Sequence, residues 1–253
     1  MAETAPDRLV YALTGTDALP FLQGLVTNDV LPLAKAPGIV WAALLTPQGK
    51  YLADFFVVNT GAALLLDIKS SLAATTVQRL SMYKLRADVQ ITPTDLAVTR
   101  GLGEAPSGAL PDPRHPAMGW RAYGLPGGDP VIDWDALRVA NTIPESGVEL
   151  IPNDSYILEN GFERLHGVNF RKGCYVGQEV TARMKHKTEL KKGLVPVQID
   201  GDAEPGTPIL QDGKPAGTLF TRAGDRALAW LRLDRTEGLT AGGAKIMLLP
   251  DIS

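Results

Sequence analysis

From Lys192 to its end the chain is cut into short apolar and β-branched segments by Asp-Gly, Ala-Gly-Asp and Ala-Gly-Gly turns. The segments fall near 194–199, 207–211, 216–221, 227–233 and 244–249. Runs this short and this regularly punctuated leave no room for helical crossovers, so neighbours must pair as antiparallel strands. The pattern predicts a small all-β module that closes into a barrel.

Upstream the texture is mixed. RLVYALT (8–14) reads as a strand, and Thr16 is placed to cap a helix in which Ala18, Phe21, Leu22, Leu25 and Val26 keep helical spacing. Pro20 falls in that helix's first turn, where a missing N–H is tolerated. Residues 39–46 and 51–59 predict two strands around Thr46-Pro47-Gln48-Gly49, followed by a third at 62–69. A helix capped by Ser70 or Ser71 runs to about Leu85, and strands follow near 87–92 and 95–101. This is an α+β unit of split-βαβ kind. A Pro/Gly-rich loop (103–116), a strand near 117–124 and a helix from about Ile132 to Asn141 come next. Residues 143–173 form a long irregular stretch, of a length that compact domains carry for a use.

At 253 residues the chain fits one large domain or two to three small ones. A net charge of −3 gives no global signature for binding polyanions. One cysteine excludes an intramolecular disulfide and points to a reducing compartment, and His115, His166 and His186 form no ligand pair. The start, MAETAPDRLVYAL, resembles neither a secretory signal nor a transit peptide, and the apolar runs fall short of the ~20 residues that span a bilayer. The expectation is a cytoplasmic protein with no membrane partner.

The single cysteine sits in FRKGCYVGQEVTAR, residues 170–183. Arg171 and Lys172 bring positive potential, Gly173 and Gly177 permit positive φ, and a helix starts near Gln178. Each favours a thiolate at Cys174, yet cysteine is also a common buried hydrophobe, and local chemistry leaves both readings open. Residues 171–192 hold seven basic residues (Arg171, Lys172, Arg183, Lys185, Lys187, Lys191, Lys192) against Glu179 and Glu189. This strip is either a solvated helix face or a dock for an anion such as a polyglutamate tail, a phosphate or RNA. In YLADFFVV, strand alternation puts Asp54 on a solvent face, the alternative being a buried acid with a raised pKa.

KGCYVGQE, with Arg183 just beyond it, resembles the signature of the YgfZ family, whose members are similar to the T protein of the glycine-cleavage system and act in iron–sulfur cluster assembly or repair. GTDALPFLQGLVTNDV, LLTPQGKYLADFFV, LRVANTIPESG and LFTRAGDRALAWLRLD extend the resemblance over nearly the whole chain. It implies three modules in a ring around a central hole. These are a discontinuous first domain (1–50 and 133–190), a ferredoxin-like inserted domain (51–132) and a C-terminal β-barrel (191–253). It further implies tetrahydrofolate or a derivative in the hole, iron–sulfur client or assembly proteins as partners, and no metal held by this chain alone. The expected function is that of an accessory factor rather than a conventional enzyme, with Cys174 as the working thiol. The ligand set expected around the hole is Lys172, Tyr175, Gly177, Gln178, Glu179, Asn141 and Arg183. Two departures from the T-protein pattern stand out. The acidic pair of the central strand is Ala53-Asp54, so one acid survives, and the pterin-gripping glutamate of LRLEAG is replaced in LRVANT by Ala140, with Asn141 beside it. The alternatives are a folate-dependent one-carbon transferase or demethylase using Asp54, and a tRNA-modification or RNA-binding factor using the basic strip.

Overall fold

The computed structural model of the chain describes residues 1–250 apart from Thr188 and the side chain of Lys187; residues 251–253, the end of the expected barrel module, lie outside the described residues. The chain opens with β1 (Ala2–Thr4), β2 (Arg8–Thr14), α1 (Ala18–Gln23), β3 (Gly38–Leu45), β4 (Tyr51–Asn59), β5 (Leu64–Lys69), α2 (Ser70–Tyr83) and β6 (Gln90–Pro93). β7 (Val98–Gly101), β8 (Leu110–Pro111), β9 (Trp120–Tyr123) and α3 (Trp134–Asn141) follow, and α4 (Gln178–Lys187) comes after the long irregular stretch. The last six strands are β10 (Lys192–Asp200), β11 (Pro208–Gln211), β12 (Lys214–Ala223), β13 (Arg226–Arg232), β14 (Leu239–Ala241) and β15 (Ala244–Leu248).

Three antiparallel sheets result. A five-stranded sheet has the order β3-β4-β5-β2-β6, a four-stranded sheet the order β1-β7-β9-β8, and β10-β13-β12-β11-β14-β15 close into a barrel. The expected α+β body and β-barrel are both present. The barrel's sixth strand, β14, was missed because three residues between Gly238 and Gly242 carry too little alternation to register. The module boundary expected between residues 50 and 51 falls inside the β3–β4 hairpin, whose register runs from Gly38↔Asn59 to Leu45↔Tyr51. The mixed unit runs from β2 to β6, and the expected 51–132 module is divided between two sheets. Thr16 does not cap α1 either, since its hydroxyl donates to Asp88 at 3.1 Å.

Both faces of the five-stranded sheet are covered. Phe55, Val57, Leu66 and Ile68 pack with Leu22 of α1 and Leu80 of α2, while Trp41, Phe56, Val58 and Leu65 pack with Trp134, Ile143, Leu150 and Phe162 on the other side. That is why β4 reads as an unbroken apolar run rather than an alternating one. Burial at both faces leaves no solvent side for a polar residue, so any carboxylate on these strands must be paired within the protein.

Asp67 on β5 is such a group, fully buried between the two open sheets. It accepts from Arg8 Nε at 2.6 Å, Arg121 Nη2 at 2.7 Å and the Tyr123 hydroxyl at 3.0 Å, so β2, β5 and β9 meet on one carboxylate. Burial alone would raise its pKa, but the charges of Arg121 and Arg8 outweigh that and hold it at about 2. Removing one partner of a buried pair leaves an uncompensated charge, so Arg121→Met should lower unfolding free energy by about 3–5 kcal/mol in urea titration. Because the folded-state pKa lies below the ordinary 3.8, the stability that Asp67 contributes is fully present above that value. It should be lost as pH falls toward about 2, and the acid limb of the stability profile should flatten in Asp67→Asn.

Candidate functional site

Cys174 is exposed, on a loop whose backbone is held from three sides. Lys172 turns inward, its Nζ donating to the carbonyls of Gln23 at 2.5 Å and Val26 at 2.6 Å, at and just beyond the end of α1. Gln23 returns a bond from Nε2 to the Lys172 carbonyl at 3.3 Å. Burial draws the Lys172 pKa down to about 8, against the opposing influence of Asp29 and Cys174. Lys172 is therefore first an anchor of the loop, whereas Arg171, three residues before the thiol in the chain, is exposed. Tyr175 is buried, and its N–H donates to Gln178 Oε1 at 3.1 Å, so the first residue of α4 closes the loop onto itself. Gly177 has φ of 82°, and a Cβ there would lie 2.4 Å from the Thr46 carbonyl of the β3–β4 turn. A cavity of about 370 Å³ opens at the thiol, lined by Phe170, Tyr175, Gln178, Glu179 and Ala182 among others. Arg183 is exposed on α4, one turn beyond Glu179 on the same face.

Asp54 lies elsewhere and is not on a solvent face. It is 3% exposed and accepts from Trp41 Nε1 at 2.8 Å and from the hydroxyls of Tyr51 and Ser146, each at 2.6 Å. Alternation misled because Asp54 shares a face with Phe56, and that face is roofed by the second layer. Burial and the neighbouring Asp54 charge push the Tyr51 phenol far above its ordinary range, so Tyr51 stays a donor. Asn141 ends α3 with its Nδ2 bonded back to the Leu137 carbonyl at 2.8 Å, and Ala140 beside it is exposed. The cavity at Cys174 contains neither Asp54 nor Asn141 in its lining, so the three residues expected to share one hole are not brought together there. Within the basic strip Lys185 pairs with Glu163 at 2.5 Å, while Lys192 keeps its charge over the Trp230 ring at 4.7 Å. The side chain of Lys187 lies outside the described residues.

A second cavity, of about 260 Å³, lies where the irregular stretch meets barrel strands β10, β12 and β13. Tyr156, Phe220 and Trp230 give it aromatic walls, and Lys50 and Lys192, set against Glu149, Asp154 and Glu159, give it charge. Trp230 Nε1 donates to Glu159 Oε2 at 3.2 Å, and Lys50 Nζ sits 3.8 Å over the Tyr156 ring while donating to the Asp154 carbonyl at 2.6 Å. Burial raises the Glu159 pKa, a shift opposed by the Trp230 bond and by Lys192 and Lys50. Sequence reasoning missed this group. The signals available were the length of the 143–173 stretch and the position of Trp230 between the inward-facing Ala229 and Leu231.

The body-and-barrel architecture is that of the glycine-cleavage T proteins. The crystal structure of glycine cleavage system aminomethyltransferase T from Bartonella henselae matches with a TM-score of 0.79, over 99% of this chain and 85% of that one, at 10% sequence identity. Residues 191–252 match the family model for the CAF17 C-terminal beta-barrel domain. The iron–sulfur cluster assembly factor IBA57 of mouse is 31% identical over 91% of this chain and 77% of its own length, and that of Homo sapiens 30% identical over the same shares. The IBA57 homolog of Mycosarcoma maydis is 34% identical over 83% of this chain, which spans 60% of that protein's length. The chain belongs to the IBA57 family of iron–sulfur cluster assembly factors. The resemblance carried by KGCYVGQE thus holds at the level of iron–sulfur assembly factors, under the name IBA57 rather than YgfZ. The expectation of a cytoplasmic protein is overturned, because these relatives are named as mitochondrial. A lone cysteine reports a reducing environment, and such environments do not single out the cytosol.

The two loop glycines have different roles. At Gly177 a side chain meets both positive φ and the Thr46 carbonyl, whereas at Gly173, φ 92°, nothing lies within 4 Å of an added Cβ. Gly177→Ala should therefore lower the melting temperature and speed alkylation of Cys174, with a cost of about 2–3 kcal/mol. Gly173→Ala should cost about 1 kcal/mol and leave the alkylation rate close to wild type.

Proposed function

We propose that this chain is an accessory factor in iron–sulfur cluster assembly that offers Cys174 to a partner protein and holds a tetrahydrofolate-type ligand between its body and its barrel. The observation that carries the reading is the Cys174 loop, an exposed thiol on a backbone fixed by Lys172, Gly177 and Gln178. A fixed, accessible thiol suits transient bonding to iron, to sulfur or to a partner's thiol. Iron–sulfur clusters usually take four protein ligands, so a partner or a second copy supplies the rest.

The aromatic cavity supports the ligand half of the reading. Tyr156, Phe220 and Trp230 can sandwich a flat ring system, and Lys50 and Lys192 can meet the carboxylates of a glutamate tail. One-carbon transfer through Asp54 is disfavoured on physical grounds, since three donors already surround that carboxylate and it is closed to substrate.

Cys174→Ala expressed in cells lacking the protein should fail to restore a cluster-dependent enzyme, while the purified variant melts with wild type; full restoration removes the thiol from the mechanism. Titration with tetrahydrofolate should saturate the wild-type chain, and Trp230→Ala should weaken it about tenfold, the size of one aromatic stacking contact.

A further inference from the structure

Helix α2 covers one face of the five-stranded sheet, and its own outer face is bare. Ala73, Thr76 and Leu80 are buried, whereas Thr75, Arg79 and Met82, at helical spacing on the other side, are exposed. The helix ends at Tyr83, and a turn from Lys84 to Ala87 follows, closed by the Ala87 N–H on the Lys84 carbonyl at 2.8 Å. Leu85 is 89% exposed, Met82 72% and Tyr83 37%, so two large apolar side chains stand in water with nothing of the protein over them. Leu85 also has φ of 46°, in the left-handed region that disfavours a side chain and that turns ordinarily fill with Gly or Asn. Neither packing nor turn geometry asks for a leucine there.

The charge carried by this segment has one sign. Residues 70–87 hold Arg79, Lys84 and Arg86 and no acid, on a chain whose net charge is −3. Arg79 and Arg86 are exposed, and neither has a hydrogen-bond or ion-pair partner among the described residues. Arg79 borders a groove of about 300 Å³ with Ser71, Thr75 and Asn153, and no acid belongs to its lining. The next acid along the chain, Asp88, accepts from the Thr16 N–H at 3.0 Å, and Asp17 accepts from the Asp88 N–H at 2.8 Å. Both acids are thus engaged in holding the chain that follows the turn.

We propose that the end of α2 is a peripheral membrane contact, in which Met82 and Leu85 enter the headgroup layer of an anionic phospholipid surface and Arg79, Lys84 and Arg86 meet its phosphates. A protein partner would have to present a pocket for each protruding side chain, whereas a bilayer takes in an apolar side chain wherever it lands. Cations set around apolar residues are what anionic headgroups over acyl chains complement, and a tyrosine half out of water suits the boundary between the two. Such a contact needs no spanning segment, and no described helix is long and apolar enough to cross a membrane. Two apolar anchors and three cations make it reversible, and salt weakens it, because exposed charges are screened within about 8 Å at physiological ionic strength.

The test is co-sedimentation of the full chain with vesicles of phosphatidylcholine and phosphatidylglycerol in equal amounts, with pure phosphatidylcholine vesicles alongside. Wild type should bind the mixed vesicles and not the neutral ones, and added salt should release it. Leu85→Asn places a residue that tolerates positive φ at the turn, so its melting temperature should not fall, yet it should bind about tenfold more weakly. Arg79→Gln combined with Arg86→Gln should weaken binding about thirtyfold, about fivefold for each headgroup cation. The basic strip supplies the control: Arg183→Gln combined with Lys191→Gln removes the same charge and should leave vesicle binding close to wild type. The proposal is overturned if wild type does not bind the mixed vesicles, if Leu85→Asn binds them as wild type does, or if the strip variant loses more affinity than the α2 variants.

Discussion

The Asp67 carboxylate is the point on which the body of the protein depends. Arg8 and Arg121 reach it from two different sheets, and Tyr123 joins them from the same strand as Arg121. Around it the positive charge continues, with Arg114 paired to Asp112 at 2.8 Å and Arg121 lying 4.2 Å over the Phe56 ring. Such a layer costs desolvation energy that apolar residues would not, and what it supplies is orientation: a carboxylate with three donors accepts only one relative placement of the strands that carry them. Roofing the five-stranded sheet in this way also encloses Asp54. A residue that looks catalytic in a one-dimensional reading thereby becomes part of the packing.

A second buried polar knot sets the barrel on the body. Arg138 of α3 bonds Glu149 at 3.0 Å and the Thr221 hydroxyl of β12 at 2.9 Å, and Thr221 in turn donates to Glu149 through both its N–H and its hydroxyl. Val139 beside it packs on Leu194 and Leu228, so the joint is apolar as well as polar. Because Glu149 also lines the aromatic cavity, the group that fixes the barrel forms one wall of the space that remains. The cavity is a consequence of docking a closed barrel, with its convex outer surface, against an irregular chain at a few strong points.

What could be read from the sequence follows the same physics. The barrel was legible because its strands alternate between a packed interior and solvent, as in Ala244 to Met247, and because glycine turns separate them. Helix α2 was legible from its period, and the loop at Cys174 from its composition. Asp54 was misread because two-sided burial erases alternation. Glu159 could not be found at all. It is an ordinary glutamate in an irregular segment, and its meaning comes from Trp230, 71 residues away, and from a cavity assembled by tertiary contacts.

The thiol and the aromatic cavity, although separate, touch the same turn. Thr46 and Gly49 of the β3–β4 hairpin press against Gly177 and Val180 of the Cys174 loop and α4, while Lys50, the next residue, reaches the Tyr156 ring and the Asp154 carbonyl in the aromatic cavity. The turn itself is tightly closed, with bonds from Gly49 N to Thr46 O and from Thr46 N to Lys50 O, both 2.8 Å, and from Lys50 N to the Thr46 hydroxyl at 3.1 Å. A closed turn passes on position better than motion. Its effect is to hold the thiol at a set place relative to whatever occupies the cavity. By that argument TPQGK, which carries no reactive group, belongs to the site as much as KGCYVGQE does, because it is the piece of backbone on which both halves are registered.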